Sequence, residues 1–339
     1  MKKKKNITNH PKKYTGWIIL LGSVLIFFSL LSPVIITGTK FLYFFPENAE
    51  RIATIIGIMS PFIAIGMIVV TYLAFRMQLD ANKELFKNSQ RQQLERQFYE
   101  MLKIHCDNVK NLHADSQHKS LDADNHSQKK VNGHEYFSCL LEEFNLIYDS
   151  IKKVEGIENI FNKTYNTFFF GINSTNIQLK QETTKSLSNY VFQNCNSLVW
   201  EKHPKLIPLK DSLCKGRMDM LVPYYRHLFL MVKTVVQFND DLFSYEDKRQ
   251  LLRILRAQLS SAEQVLLYYN WKSGCGDKWE EDSSNPDGNH FFTDYRMIHN
   301  IIPRDCWVFN SVEILKSLLE KNPCYKKIDD KDALFELIE

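Results

Sequence analysis

The strongest constraint in this 339-residue chain is a pair of long runs with no charged residue. The first is Trp17–Ile36 (WIILLGSVLIFFSLLSPVII) and the second is Ile52–Phe75 (IATIIGIMSPFIAIGMIVVTYLAF). At ~1.5 Å of rise per residue, a 20-residue helix reaches about 30 Å, the thickness of a bilayer's hydrocarbon core. Two transmembrane helices are therefore expected, joined as a hairpin over 17–75. The loop between them, Thr37–Arg51, holds Phe41, Tyr43, Phe44 and Phe45, rings suited to a membrane–water boundary. A cleaved signal peptide fits less well. The first apolar stretch exceeds the usual ~7–15 residues, and the second follows almost at once.

The overall charge of +4 hides an asymmetry. Residues 1–51 carry eight basic side chains against two acidic, and 52–96 carry five against three. That places +8 around the two runs and leaves −4 for 97–339. Lysines flank the first run on its N-terminal side, and Arg76, Lys83, Lys87 and Arg91 follow the second. The positive-inside rule then puts both termini in the cytoplasm, in a two-pass arrangement. The acidic body speaks against a nucleic-acid platform. No ionisable residue lies in either run, so no proton relay is signalled. Pro33 and Pro61 can kink the helices, and Ala53, Gly57, Ser60 and Ala64 permit close helix packing. A plain anchor is the simpler reading, and a pore built by oligomers is the sharper one.

The organisation expected is a basic N-terminus over 1–16, the hairpin over 17–75 and a helical stalk over 76–96. A cytoplasmic helical domain over 97–325 and a tail over 326–339 follow. Gly and Pro are scarce, with 12 and 10 residues, which disfavours turn-dense β architecture. Seven scattered cysteines form no CxxC pair and predict reduced thiols and no zinc site. Apolar periodicity predicts helices over Leu94–Leu112, His134–Lys152, Leu179–Asn194, Arg217–Phe238, Tyr245–Trp271, Phe291–Ile301 and Val308–Lys321. His105, within the first stripe, reads as a satisfied, half-buried histidine. His113–Gly133 is polar and reads as a mobile loop. Its His113, His118 and His126, with His134 just beyond, are a cluster of a kind that binds metal weakly, but they share no one helical face, so metal is not expected. Asn159–Asn173 reads as aromatic and less regular, and Trp200–Gly216 as loop. No strand ladder is apparent, so the fold class is all-α.

The densest polar groups fall on two helices. If Tyr245–Trp271 is one helix, Arg256, Ser260, Glu263 and Asn270 share one face. That face is either a packing network, a mixed solvent surface, or a site for an anionic or polar ligand. HExxH, P-loop, GxSxG and GxGxxG patterns are absent. So is the four-to-six-residue Arg–His spacing usual in helical RNases of the HEPN type. Asp240–Asp241 and Glu280–Glu281 are expected to be solvated.

The segments QFYEMLKIHCDNV (Gln97–Val109), YYRHLFLMVK (Tyr224–Lys233) and RILRAQLSSAEQVLLYYN (Arg253–Asn270) carry a resemblance. In this order the chain resembles the phage abortive-infection family related to AbiC, over about 97–300. The resemblance implies a functional or structural core of His105, Tyr224, Arg226, His227, Arg253, Arg256, Gln258, Leu259, Ser260, Glu263, Tyr268 and Asn270. It implies a bacterial inner-membrane protein that halts phage propagation, and it supplies no reaction. The leading expectation is a membrane-anchored antiphage effector that acts without conventional turnover, with membrane perturbation by a homo-oligomer as the expected route. Its partners would be the lipid bilayer and a phage or defence-system trigger, and no cofactor or metal is expected. The alternatives are an RNA-cleaving, HEPN-like toxin using Arg226, His227, Arg256 and Glu263, and a ligand-binding sensor or scaffold.

Overall fold

The computed structural model describes residues 49–116, 129–153, 158–171 and 216–336, with seven isolated helical positions between Trp17 and Leu31. The chain divides into two compact units, Met1–Gln90 and Arg91–Glu339. Among the described residues there are seven α-helices and one two-stranded ribbon.

Helix α1 (Ala49–Asn111) is continuous and holds the second apolar run. Ile63, Ile65, Ile68, Val70 and Phe75 are all exposed along it. A stripe of that size is what a hydrocarbon environment covers. Among the described residues this is the one helix long and apolar enough to cross a membrane. Two spans were expected. The first, Trp17–Ile36, lies outside the described residues apart from the isolated positions, as do residues 1–16 and most of Thr37–Arg51.

The second unit begins with Arg91, within the expected stalk. Its guanidinium bonds Glu95 at 3.0 Å and Asp247 at 3.1 Å and lies over the Phe243 ring. From there α1 buries Phe98 and Val109. Strands β1 (His113–Ser116) and β2 (Lys129–Asn132) then pair antiparallel. The expected loop therefore has a ladder at its base, and the all-α class gains one short ribbon. The polar sequence masked it, because two four-residue strands need no apolar alternation when neither builds a core.

Helices α2 (His134–Lys152) and α3 (Ile160–Phe170) pack on each other. The second replaces the irregular region expected over Asn159–Asn173. The Asn159 side chain caps it by accepting from the Asn162 N–H. Helix α4 (Met218–Val236) packs on α5 (Tyr245–Arg256). Helix α6 (Ser261–Lys272) is central, with every residue from Ala262 to Trp271 buried. Burial all round, rather than along one stripe, marks it as the core helix. Phe144 and Tyr269 meet at 4.6 Å between ring centroids, and Phe161 and Phe309 extend the same aromatic cluster. Helix α7 (Ser311–Lys321) closes the set.

Three expectations change here. Tyr245–Trp271 is two helices, broken at Ala257–Ser260, because Ser260 and Glu263 form a capping box that starts a new helix. Phe291–Ile301 is a run of turns. Side chains take its backbone donors: Glu280 accepts from the N–H groups of Phe292 and Thr293, and Gln264 accepts from those of His299 and Asn300. Glu280 is thus buried instead of solvated. The tail, readable from sequence as an amphipathic turn or a free end, is tied down over its described residues. Leu334 and Phe335 are buried, and Asp332 is held by Arg249 and Arg296. The helix expected at Leu179–Asn194 and the loop up to Lys215 lie outside the described residues.

Candidate functional site

Four elements bring titratable groups together around Glu263. The capping box that starts α6 turns this carboxylate inward, and its side chain has no exposure. Burial alone would raise its pKa. Its donors overcome that and hold it below the usual carboxylate range. The Ser260 N–H donates to Oε2 at 2.7 Å and the Ser260 hydroxyl at 2.6 Å. The Tyr224 hydroxyl of α4 donates to Oε1 at 2.8 Å. Nδ1 of His134, the first residue of α2, lies 2.8 Å from Oε2. A buried anion with four donors is fully compensated.

His134 is the outward member, with its side chain 56% exposed. The bond to Glu263, partly offset by burial, raises its pKa. The carboxylate fixes the proton on Nδ1 and directs Nε2 away, the orientation used by carboxylate–histidine acid–base pairs. Behind it, the His105 ring of α1 stacks on His227 of α4 at 5.8 Å with 5° between planes, and lies 5.4 Å from Tyr224. His105 is 1% exposed. Burial lowers its pKa to about 4, with Glu263 opposing and His227 and His134 assisting. Burial also lowers that of His227. His105 Nε2 and His227 Nδ1 are both buried and find no hydrogen-bond partner among the described residues. The expected satisfied histidine is therefore fully buried and unsatisfied at one nitrogen. The outward histidine is thus shifted toward its charged form and the two beneath it toward their neutral forms.

The remaining expected residues disperse. The side chains of Arg226 and Arg253 are exposed and make no hydrogen bond among the described residues. Gln258 is exposed, with Cys106 Sγ at 3.9 Å from its Oε1. Arg256 is buried beside Arg296, donating to its carbonyl at 2.9 Å. Tyr268 is buried against Trp271 and Phe309, and Leu259 is buried in the turn before α6. Asn270 donates to the Tyr165 hydroxyl at 2.7 Å, deep in the core. The single polar face thus separates into three places, because the break at Ala257–Ser260 removes the common helix axis. Sequence reasoning set His134 only beside the loop histidines and missed its contact with Glu263. The sequence does place it just after Gly133, at the start of an apolar-periodic segment. Among the described residues no group of three or more His, Cys, Asp or Glu could hold a metal ion.

The segment contributing Tyr224, His227 and Glu263 is also the segment that known proteins recognise. Residues 216–306 match the model of the family described as putative phage abortive infection protein. The match covers α4, α5 and α6 and the turns after them, and leaves His105 and His134 outside. No curated protein and no solved structure matches the chain.

Proposed function

We propose that this chain is a membrane-anchored effector of abortive infection in bacteria. In this reading two N-terminal helices cross the inner membrane, both termini lie in the cytoplasm, and the helical body responds to infection. Assembly of several copies then lets the spans perturb the membrane and halt phage propagation. The observation that carries the reading is that one chain joins the abortive-infection domain over 216–306 to a long apolar helix. Uncharged residues through that apolar stretch favour an anchor or an assembled pore over a proton path.

The test is infection of cells that carry the protein, with plaque counts and a potential-sensitive dye read together. Protection with a collapse of membrane potential is expected. Protection with the potential intact removes the membrane-damage mechanism.

A second reading is favoured by one observation, the contact of His134 with the buried Glu263 carboxylate. That pair could serve acid–base chemistry, with RNA cleavage as the reaction. His134→Ala acts on an exposed side chain and leaves the core packed. If protection and intracellular RNA cleavage both vanish in this variant, the body is an enzyme. Intact RNA in protected wild-type cells excludes that reading.

A further inference from the structure

Helix α5 carries Arg249, Arg253 and Arg256 at spacings that set them on one stripe. Their surroundings differ. Arg249 is neutralised by Asp332, with both nitrogens bonded at 3.0 and 2.9 Å. Arg253 is exposed and has no hydrogen bond or ion pair among the described residues. Arg256 is buried, yet among the described residues its one side-chain hydrogen bond goes to the backbone carbonyl of Arg296 and no carboxylate pairs with it. Arg296 is fully buried and gives Nε and Nη2 to Ala333, Lys326 and Asp332. Its Nη1 is also buried and finds no hydrogen-bond acceptor among the described residues, while the guanidinium lies 4.7 Å over the Tyr325 ring. Its φ of 56° is one that L side chains rarely adopt, so the surroundings hold this arginine in place against local strain.

Among the described residues, these four guanidiniums have one paired carboxylate and one nearby. One is Asp332, already divided between Arg249 and Arg296. The other is Glu336, exposed and hydrogen-bonded by Asn300. Burial and the like charges of Arg249, Arg253 and Arg296 bring the pKa of Arg256 down to about 10, with Glu336 opposing. His299, beside them, is lowered by burial and by Arg256. Buried guanidiniums are ordinarily matched by an anion, and among the described residues the count is short of negative charge.

We propose that Arg253, Arg256 and Arg296 form a binding site for a small phosphate-bearing anion, with Glu336 as its internal competitor. The planar donor fork of arginine matches phosphate oxygens in pairs. Arg253 and Glu336 lie at the surface, so the anion has an approach. The net charge of −4 over residues 97–339 disfavours a nucleic acid as the source of the phosphate. The site gives the body a soluble ligand and is independent of how the spans act.

The test uses the full-length protein in detergent and calorimetric titration with pyrophosphate at constant ionic strength. Parallel arms use phosphatidylglycerol vesicles and a short single-stranded RNA. Saturable pyrophosphate binding is expected. It should weaken about tenfold in Arg253→Ala, from loss of a charge-assisted contact, and tighten in Glu336→Gln. Arg253 is exposed, and a thermal melt of each variant verifies folding. Failure of pyrophosphate to bind overturns the proposal, as does equal affinity in Arg253→Ala and wild type. Binding confined to the vesicles or to the RNA also overturns it, since the phosphate would then belong to a lipid or a nucleic acid. Membrane potential during infection is read separately, so failure here and failure of the effector reading are distinguishable.

Discussion

Glu263 shows how one residue can cap a helix and organise a site. Its carboxylate closes the first turn of α6 and also anchors Tyr224 and His134. Glu263→Ala would strand the Tyr224 hydroxyl and both Ser260 donors in the core. Removing one member of a buried charged network costs about 3–5 kcal/mol. Denaturant unfolding should show a loss of that size, and a change below 1 kcal/mol would mean the network contributes little. His105 gives a pH dependence whose sign follows from its surroundings. Its folded pKa, about 4, lies below the unfolded value near 6.5. The native state therefore binds fewer protons, and this stabilisation is complete above about pH 6.5. It is lost as pH falls towards 4, by about 3 kcal/mol. His134 is shifted upward and acts in the opposite sense. A neutral replacement, His105→Gln, should flatten stability against pH between 6.5 and 4. An unchanged slope would remove His105 as the source. The family resemblance named His105, Tyr224, His227, Ser260 and Glu263 only among twelve residues and did not set them apart as a group. It could not show that Arg226 points away or that His134 completes the group, since those depend on packing between distant segments.

At the level of elements, what could be read was set by where backbone donors find partners. The periodicity of Arg217–Phe238 produced helix α4 nearly as expected, because its apolar stripe faces one continuous core. The break before α6 was visible as Ser260-x-x-Glu263, but a long apolar stripe on both sides concealed it. The turns at Phe291–Ile301 could not be foreseen, since Glu280 and Gln264 reach them from other elements. Gly216 marks another tertiary requirement. It sits at φ +74°, and a Cβ there would come within 2.4 Å of Gly171 N and Phe169 O. That close approach lets the Arg217 N–H reach the carbonyls of Phe168 and Phe169 at the end of α3. Gly216→Ala should therefore separate α3 from the start of α4, at a cost of about 2 kcal/mol or more. Chemical denaturation measures this, and wild-type stability in the variant would show that the approach is not required.

At the scale of the whole molecule, the charge distribution predicts topology. The positive excess lies on the first 13 residues and just after Phe75, and the loop Thr37–Arg51 between the two runs carries two basic and two acidic residues. If both runs cross the membrane, this loop faces outward and both flanks face inward. A chain with one span would place residues 1–16 and the body on opposite sides. All seven native cysteines occur at Cys106 or later. A cysteine introduced by Asn48→Cys therefore reports on the loop alone, and one introduced by Asn9→Cys reports on the N-terminus. The native thiols act as internal controls for the inner side. With a membrane-impermeant maleimide on intact inner-membrane spheroplasts, the two-pass arrangement predicts labelling of the Asn48→Cys variant. The Asn9→Cys variant should react only after lysis. Labelling of Asn9→Cys in intact spheroplasts with Asn48→Cys protected would reverse the orientation of the first run. Labelling of both would leave Ile52–Phe75 as the sole span, and the anchor would have to work as a single helix.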